Sequence, residues 1–176
     1  MRWMPGLLLP IMAGCAVLAL GPFPATTIPA EIAAPPNQRL ELILAAAGVQ
    51  IFRCAAKKDA PGQFEWVFQA PEARLRNVGG KYYGHLYAGP TWEAEDGSKI
   101  TGTVQARIDA PDTSAVPWLR LAAKSTGGAG LFAAVTSIQQ VSTVGGQAPA
   151  RGCADPDQGR ILRVDYRADY YFYVPR

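Results

Sequence analysis

Leu162-Arg163-Val164-Asp165-Tyr166-Arg167-Ala168-Asp169-Tyr170-Tyr171-Phe172-Tyr173 decides the fold class. Leu162, Val164, Tyr166, Ala168, Tyr170 and Phe172 alternate with Arg163, Asp165, Arg167, Asp169, Tyr171 and Tyr173. A period of two, with one apolar side and one largely wet side, is what a half-buried antiparallel strand requires. The same period recurs upstream. Ile100, Gly102, Val104, Ala106 and Ile108 alternate with Thr101, Thr103, Gln105 and Arg107, and Phe64, Trp66 and Phe68 alternate with Glu65, Val67 and Gln69. Shorter strand candidates are Leu40–Ala45, Val49–Cys54, Arg74–Val78, Tyr82–Tyr87, Trp118–Ala123 and Val135–Thr143. Turn chemistry separates them at Ala60-Pro61-Gly62, Gly79-Gly80, Asp96-Gly97, Gly127-Gly128 and Gly145-Gly146. Only Leu40–Ala47 could be helical. The pattern predicts an all-β, single-domain antiparallel β-sandwich or barrel of about nine strands.

Composition agrees with one folded domain. The chain has 176 residues, of which 49% are hydrophobic and 18% charged, enough apolar material for a core and too little net charge for disorder. Seventeen cations are scattered among fourteen acids for a net charge of +3, so no basic stripe marks a nucleic-acid partner. His85 is the one histidine, which excludes multi-histidine metal sites and leaves no metal or cofactor predicted.

The first thirty residues read as an export segment. Arg2 is the only charge before Glu31, and Ile11–Leu20 forms a ten-residue apolar core of signal-peptide length. Pro5, Pro10, Pro22 and Pro24 argue against a spanning helix. Small residues suited to cleavage stand at Ala25 and Ala30, and Met12-Ala13-Gly14-Cys15 resembles a lipoprotein signal, although the apolar run continues past the cysteine. Residues 1–30 are therefore read as a signal and leader, and 31–176 as the β-rich domain. The expected location is outside the cytoplasm: periplasm, envelope or extracellular space. Membrane contact is expected only through the N-terminal segment, if retained or lipidated.

Two cysteines remain beyond that segment, Cys54 and Cys153. In an oxidising compartment a lone pair bonds, and closing a loop of about 100 residues is worth up to roughly 4.7 kcal/mol in the chain-entropy picture. The alternative, Cys54 as a nucleophile beside His85, has less support.

Chemistry concentrates between Tyr82 and Lys99. His85, Tyr87, Trp92, Glu93 and Asp96 are the ligand-binding candidates, because an imidazole, carboxylates and aromatic rings gathered on one surface can orient a ligand. Gly89-Pro90 interrupts the strand period there, a break that predicts a rim from which Trp92 and Glu93 project. The plainer reading makes His85 a strand residue, Glu93 and Glu95 a solvated edge and Asp96-Gly97 a hairpin turn. Calcium ligation by Glu93, Glu95 and Asp96 lacks the spacing, and Gly127-Gly128-Ala129-Gly130 lacks the Lys-Ser/Thr of a phosphate loop. The terminal aromatics could stack on sugars or simply pack.

Several blocks also resemble a known family. They are Gly48-Val49-Gln50-Ile51-Phe52-Arg53-Cys54, Tyr87-Ala88-Gly89-Pro90-Thr91-Trp92-Glu93-Ala94 with Asp96-Gly97-Ser98, Pro117-Trp118-Leu119, Ile138-Gln139 with Gly145-Gly146, Gly152-Cys153, and Ala168-Asp169-Tyr170-Tyr171-Phe172-Tyr173. In this order they are similar to the exported domain-of-unknown-function 3455 family of bacteria and fungi. The resemblance covers roughly residues 29 to 176. It implies one domain, with Cys54 and Cys153 part of the pattern, and carries no activity or catalytic residue. Val141-Ser142 stands where similar chains often read Val-Asn.

Function is then read as ligand binding rather than catalysis, the partner being a small molecule, a glycan or an envelope protein. Two alternatives are a small hydrolase or isomerase using His85 with Glu93 or Asp96, and a structural envelope protein that pairs through a sheet edge.

Overall fold

The computed structural model describes residues 26–176, and within them the alternating segments close into a barrel. Its strands are β1 (Gln38–Ala56), β2 (Phe64–Arg76), β3 (Tyr82–Tyr87), β4 (Thr91–Ala94), β5 (Lys99–Ile108), β6 (Trp118–Gly127), β7 (Ser137–Gly145) and β8 (Ile161–Pro175). Each pairs antiparallel with the next, and β1 pairs with β8 to complete the circle. The described strands thus number eight, not about nine, and the choice between sandwich and barrel falls to the barrel. Leu40–Ala45 and Val49–Cys54 are one strand, as are Phe64–Phe68 and Arg74–Val78 up to Arg76, while the short β4 adds one. Leu40–Ala47 is strand, not helix. Residues 1–25 of the proposed export segment, with Ile11–Leu20, Cys15 and Ala25, lie outside the described residues.

Strand β1 runs unbroken through Ala46-Ala47-Gly48 because small residues are needed there. A side chain on Gly48 would meet the Glu72 carbonyl oxygen at 2.0 Å and the Ala73 Cα at 2.5 Å on the neighbouring strand.

One face of the sheet fills the interior. Leu44, Leu75, Leu86, Trp92, Ile100, Leu121, Ile138, Tyr170 and Phe172 are all buried there, and Phe132 from the β6–β7 loop stacks on Phe172 at 4.9 Å between centroids. Tyrosine and glutamine groups inside are paired, whereas the buried Trp92 Nε1 has no partner. The Tyr170 hydroxyl donates to Gln140 Oε1 at 2.6 Å, the Gln140 amide donates to the Pro117 carbonyl at 2.9 Å, and burial pushes the Tyr166 hydroxyl pKa up to about 12.

A second apolar cluster lies on the outer wall. Trp118, Val141 and Tyr171 pack there with Ile43, Ala106 and Ile108, and the chain before β1 covers them through Ile28 and Ile32. Ala106 and Ile108 reach this outer side because Gln105 is an extra residue in the β5–β6 pairing. Val104 opposes Leu121 and Ala106 opposes Arg120. One inserted residue turns the following side chains to the other face. The unbroken alternation from Ile100 to Ile108 therefore serves two different cores.

Cys54 and Cys153 form the expected disulfide, joining the end of β1 to the β7–β8 loop with 6.1 Å between Cα atoms. Trp66 Nε1 donates to the Gly152 carbonyl at 2.9 Å, the Gly159 N–H donates to the Cys54 carbonyl at 2.9 Å, and the Cys54 N–H donates to the Arg160 carbonyl at 2.9 Å. The bridge thus clamps a long loop onto β1 and β2. Replacing both cysteines by serine should cost about 2–5 kcal/mol of stability. Limited proteolysis of that variant should cut first within residues 146–160, and resistance equal to that of the native chain would contradict the clamp.

Ser142 is the only described non-glycine residue in the left-handed region, at φ 51°, where the β7–β8 register slips between Val141 and Val144. Asparagine tolerates that conformation better than serine. Ser142→Val should lose about 1–2 kcal/mol and melt at least roughly 3 °C lower, whereas Ser142→Asn should melt no lower than the native chain in differential scanning calorimetry.

Candidate functional site

Hairpin register builds a polar row across four strands. Arg74 on β2 opposes His85 on β3, His85 opposes Glu93 on β4, and Glu93 opposes Lys99 on β5. Directly opposed residues share a face of the sheet. Gly84, Leu86, Trp92, Ala94 and Ile100, one step away along each strand, point into the barrel, so this row lies on the outer wall. Strand β3 stops at Tyr87 and β4 starts at Thr91, so Ala88-Gly89-Pro90 is a tight connection, as the broken period predicts. The Thr91 hydroxyl bonds back to the Ala88 carbonyl at 3.1 Å and holds the corner.

Glu93 is the hub of the row. Its Oε2 accepts from the Tyr87 hydroxyl at 2.8 Å and lies 3.1 Å from Lys99 Nζ and 3.9 Å from His85 Nε2. The Tyr87 hydroxyl, then Lys99, hold the carboxyl below the usual range, so Glu93 is ionised at neutral pH. The same hydrogen bond raises the Tyr87 hydroxyl, and Glu93 raises Lys99. All three contacts fall on one carboxylate oxygen. The His85 and Tyr87 rings stack at 5.1 Å between centroids with 27° between planes, and Tyr82 brings its hydroxyl 3.5 Å from His85 Nδ1. The result is a rigid patch with aromatic faces, a fixed anion and adjoining cations. Its side chains come from strands rather than loops.

Two of the five sequence candidates do not join it. Trp92 faces inward and is 1% exposed, so it does not project from a rim. Its ring packs edge-on against Tyr170 at 5.4 Å and occupies the space where a Gly102 side chain would sit. Asp96 turns away from His85 as well. Its Oδ1 accepts from the Ser98 hydroxyl at 2.6 Å and backbone N–H at 2.9 Å, while Oδ2 accepts from the Leu131 N–H at 2.7 Å. The Ser98 hydroxyl in turn accepts from the Phe132 N–H at 3.1 Å. Asp96 therefore fastens the β4–β5 turn to the loop that carries Phe132 into the core. Its carboxyl is held below the usual range, first by the Ser98 hydroxyl and then by the Leu131 N–H. His85, Tyr87 and Glu93 do come together, and Lys99, Arg74 and Tyr82 are the members that the sequence reading passed over. A three-residue turn, Glu95-Asp96-Gly97, closed by the Gly97 N–H on the Ala94 carbonyl, is what sets Lys99 opposite Glu93, and the Asp-Gly pair alone does not announce that register.

The reading also passed over a groove of about 580 Å³ beside the disulfide, between the β1–β2 turn and the β7–β8 loop. Phe64, Trp66, Lys57, Glu65 and Arg151 line it. Only the distant pairing of residues near 60 and 150 makes this groove, and nothing local in the sequence announces it.

These features define a closed, side-chain-filled antiparallel barrel with a polar-aromatic patch on its outer wall. The family described as a protein of unknown function (DUF3455) matches residues 35–174, and the chain belongs to that family. No curated protein and no solved structure matches it.

The role of Asp96 is open to a pH test. A carboxyl whose pKa is lowered by folding contributes stability above its ordinary pKa, near 3.8, and that contribution is lost as pH falls through the lower folded value. Asp96→Asn should melt lower than the native chain at neutral pH, and the gap should narrow on acidification to about pH 2.5. A gap that stays constant across thermal melts in this range would show that the charge of Asp96 contributes nothing.

Proposed function

We propose that this chain is an exported binding domain that takes a glycan on the outer wall of β3–β5. The single observation that carries the reading is the stacked pair of His85 and Tyr87 beside a Glu93 carboxylate fixed by Tyr87 and Lys99. Sugars present apolar ring faces edged with hydroxyls. Aromatic side chains with polar tips, set next to a fixed acceptor and an ammonium donor, complement both features. Export is supported by the Cys54–Cys153 disulfide, since such bridges persist in oxidising compartments, and by the signal-like residues 1–30.

Catalysis by His85 with Glu93 is the competing reading, favoured by their 3.9 Å separation. It is the weaker one. A general base works best with a pKa near the operating pH, whereas Glu93 is held low and its contacting oxygen is already occupied. The row also lies on a wall rather than in an enclosed cleft that excludes water.

A glycan panel probed with residues 26–176 tests the proposal. The chain should retain a defined class of oligosaccharide, and His85→Ala or Tyr87→Ala should weaken that binding at least about tenfold, with melting within about 3 °C of the native chain. Binding unchanged in both variants, or turnover of a retained sugar that depends on Glu93, would overturn it.

A further inference from the structure

The segment before β1 is built into the fold. Thr26 Oγ1 lies 2.8 Å from the Ser142 hydroxyl, beside the register slip of β7. Ile28 packs on the outer cluster, and Ile32 is completely buried among Ala110, Ala115, Trp118, Val141 and Tyr171. A single 3₁₀ turn, Ala30–Ile32, aims Ile32 inward, closed by Ile32 N–H to the Pro29 carbonyl and Ala33 N–H to the Ala30 carbonyl, each at 3.2 Å. The Ile32 carbonyl accepts from the Gln139 amide at 2.7 Å, and the Tyr173 hydroxyl donates to the other end of that amide at 2.6 Å. Gln139 is wholly buried by these contacts. Residues 26–33 therefore form a strap that seals the outer face of β5–β8, and the packed chain begins before Glu31, where the domain was expected to start.

The strap discriminates between the two small-residue cleavage positions. A cut after Ala30 would remove Thr26, Ile28 and Pro29, delete the carbonyls that close the turn, and place a new ammonium next to fully buried Ile32. Glu31 is itself exposed, so that charge stays in water, but the apolar cluster would lose its cover. A cut after Ala25 leaves the ammonium on Thr26, which is half-buried at the edge, and keeps every contact. We infer that export processing hydrolyses the Ala25–Thr26 peptide bond and that Thr26–Ala33 is a permanent part of the mature domain. In that step a host signal peptidase adds water across the amide: Ala25 leaves with the new carboxylate and Thr26 retains the new ammonium. The inference rests on the export proposed above and adds the position of the cut.

Two measurements test it. Intact mass and N-terminal sequencing of the protein recovered from an exporting host should show a chain starting at Thr26. A chain starting at Glu31, or one lipidated on Cys15, would overturn the assigned bond. An uncut chain starting at Met1 and held in the cytoplasm would sink export itself, and the assigned bond with it. Independently of export, purified chains beginning at Thr26 and at Glu31 should differ, the shorter melting at least about 5 °C lower and binding an apolar dye more strongly. Equal melting and equal dye binding would show that the strap seals nothing.

Discussion

Everything in this molecule depends on the pairing of its first strand with its last. Strand β1 lies against β8 from Gln38–Pro175 to Arg53–Ile161, with one irregularity between Leu40 and Leu42. Without that ladder the remaining strands would form a long open sheet with two unprotected edges, a form that twists and aggregates. With it, Leu44 and Ala46 meet Tyr170, Phe172 and Ala168 across a closed interior. The ladder joins the two ends of the domain and is the most non-local strand pairing among the described residues. It therefore carries the largest loop-closure entropy. The Cys54–Cys153 bridge acts at the same seam, holding the loop that leads into β8 onto the far end of β1.

Closure also dictates where function can reside. The interior is occupied by Trp92, Tyr170, Phe132 and Phe172 and is crossed by a tyrosine–glutamine chain with its hydrogen bonds made. A filled barrel leaves its outer wall and its rims for recognition. Part of the wall is already used, because the strap from Thr26 to Ala33 covers β5–β8. The wall over β3–β5, which carries Tyr82, His85, Tyr87, Glu93 and Lys99, remains open. Its rigidity derives from the pinning of the β4–β5 turn by Asp96 and Ser98, which links the patch to the core through Phe132.

The fold was legible where apolar and polar positions alternate on strands with one wet side, as in Leu162–Tyr173. It was obscured where a strand passes through small residues. Gly48 and Ala70-Pro71 fall between the strand candidates, yet they lie within β1 and β2, and Gly48 is a site of close strand approach. Bulges were invisible for a different reason: Gln105 reverses the facing of Ala106 and Ile108 while the written pattern continues undisturbed. At the site, residue type alone could not separate Trp92 from His85. Both stand in a polar, aromatic stretch, and only the phase of the β3–β4–β5 register sends one inward and the other out. Asp96 looked like a partner for His85 because it is near in sequence, whereas its ligands come from the turn itself and from Leu131, thirty-five residues on.

Native-state hydrogen exchange, followed amide by amide, addresses the first-to-last pairing most directly. The slowest amides should be those of Ile43–Ala46 on β1 and Ala168–Phe172 on β8. Amides of the paired β3–β5 residues around His85 and Glu93 should exchange at or above the rate of that seam, never more slowly. If β3–β5 instead outlasts β1 and β8, the seam opens while the rest of the sheet persists, and the closure described here is not what holds the barrel together.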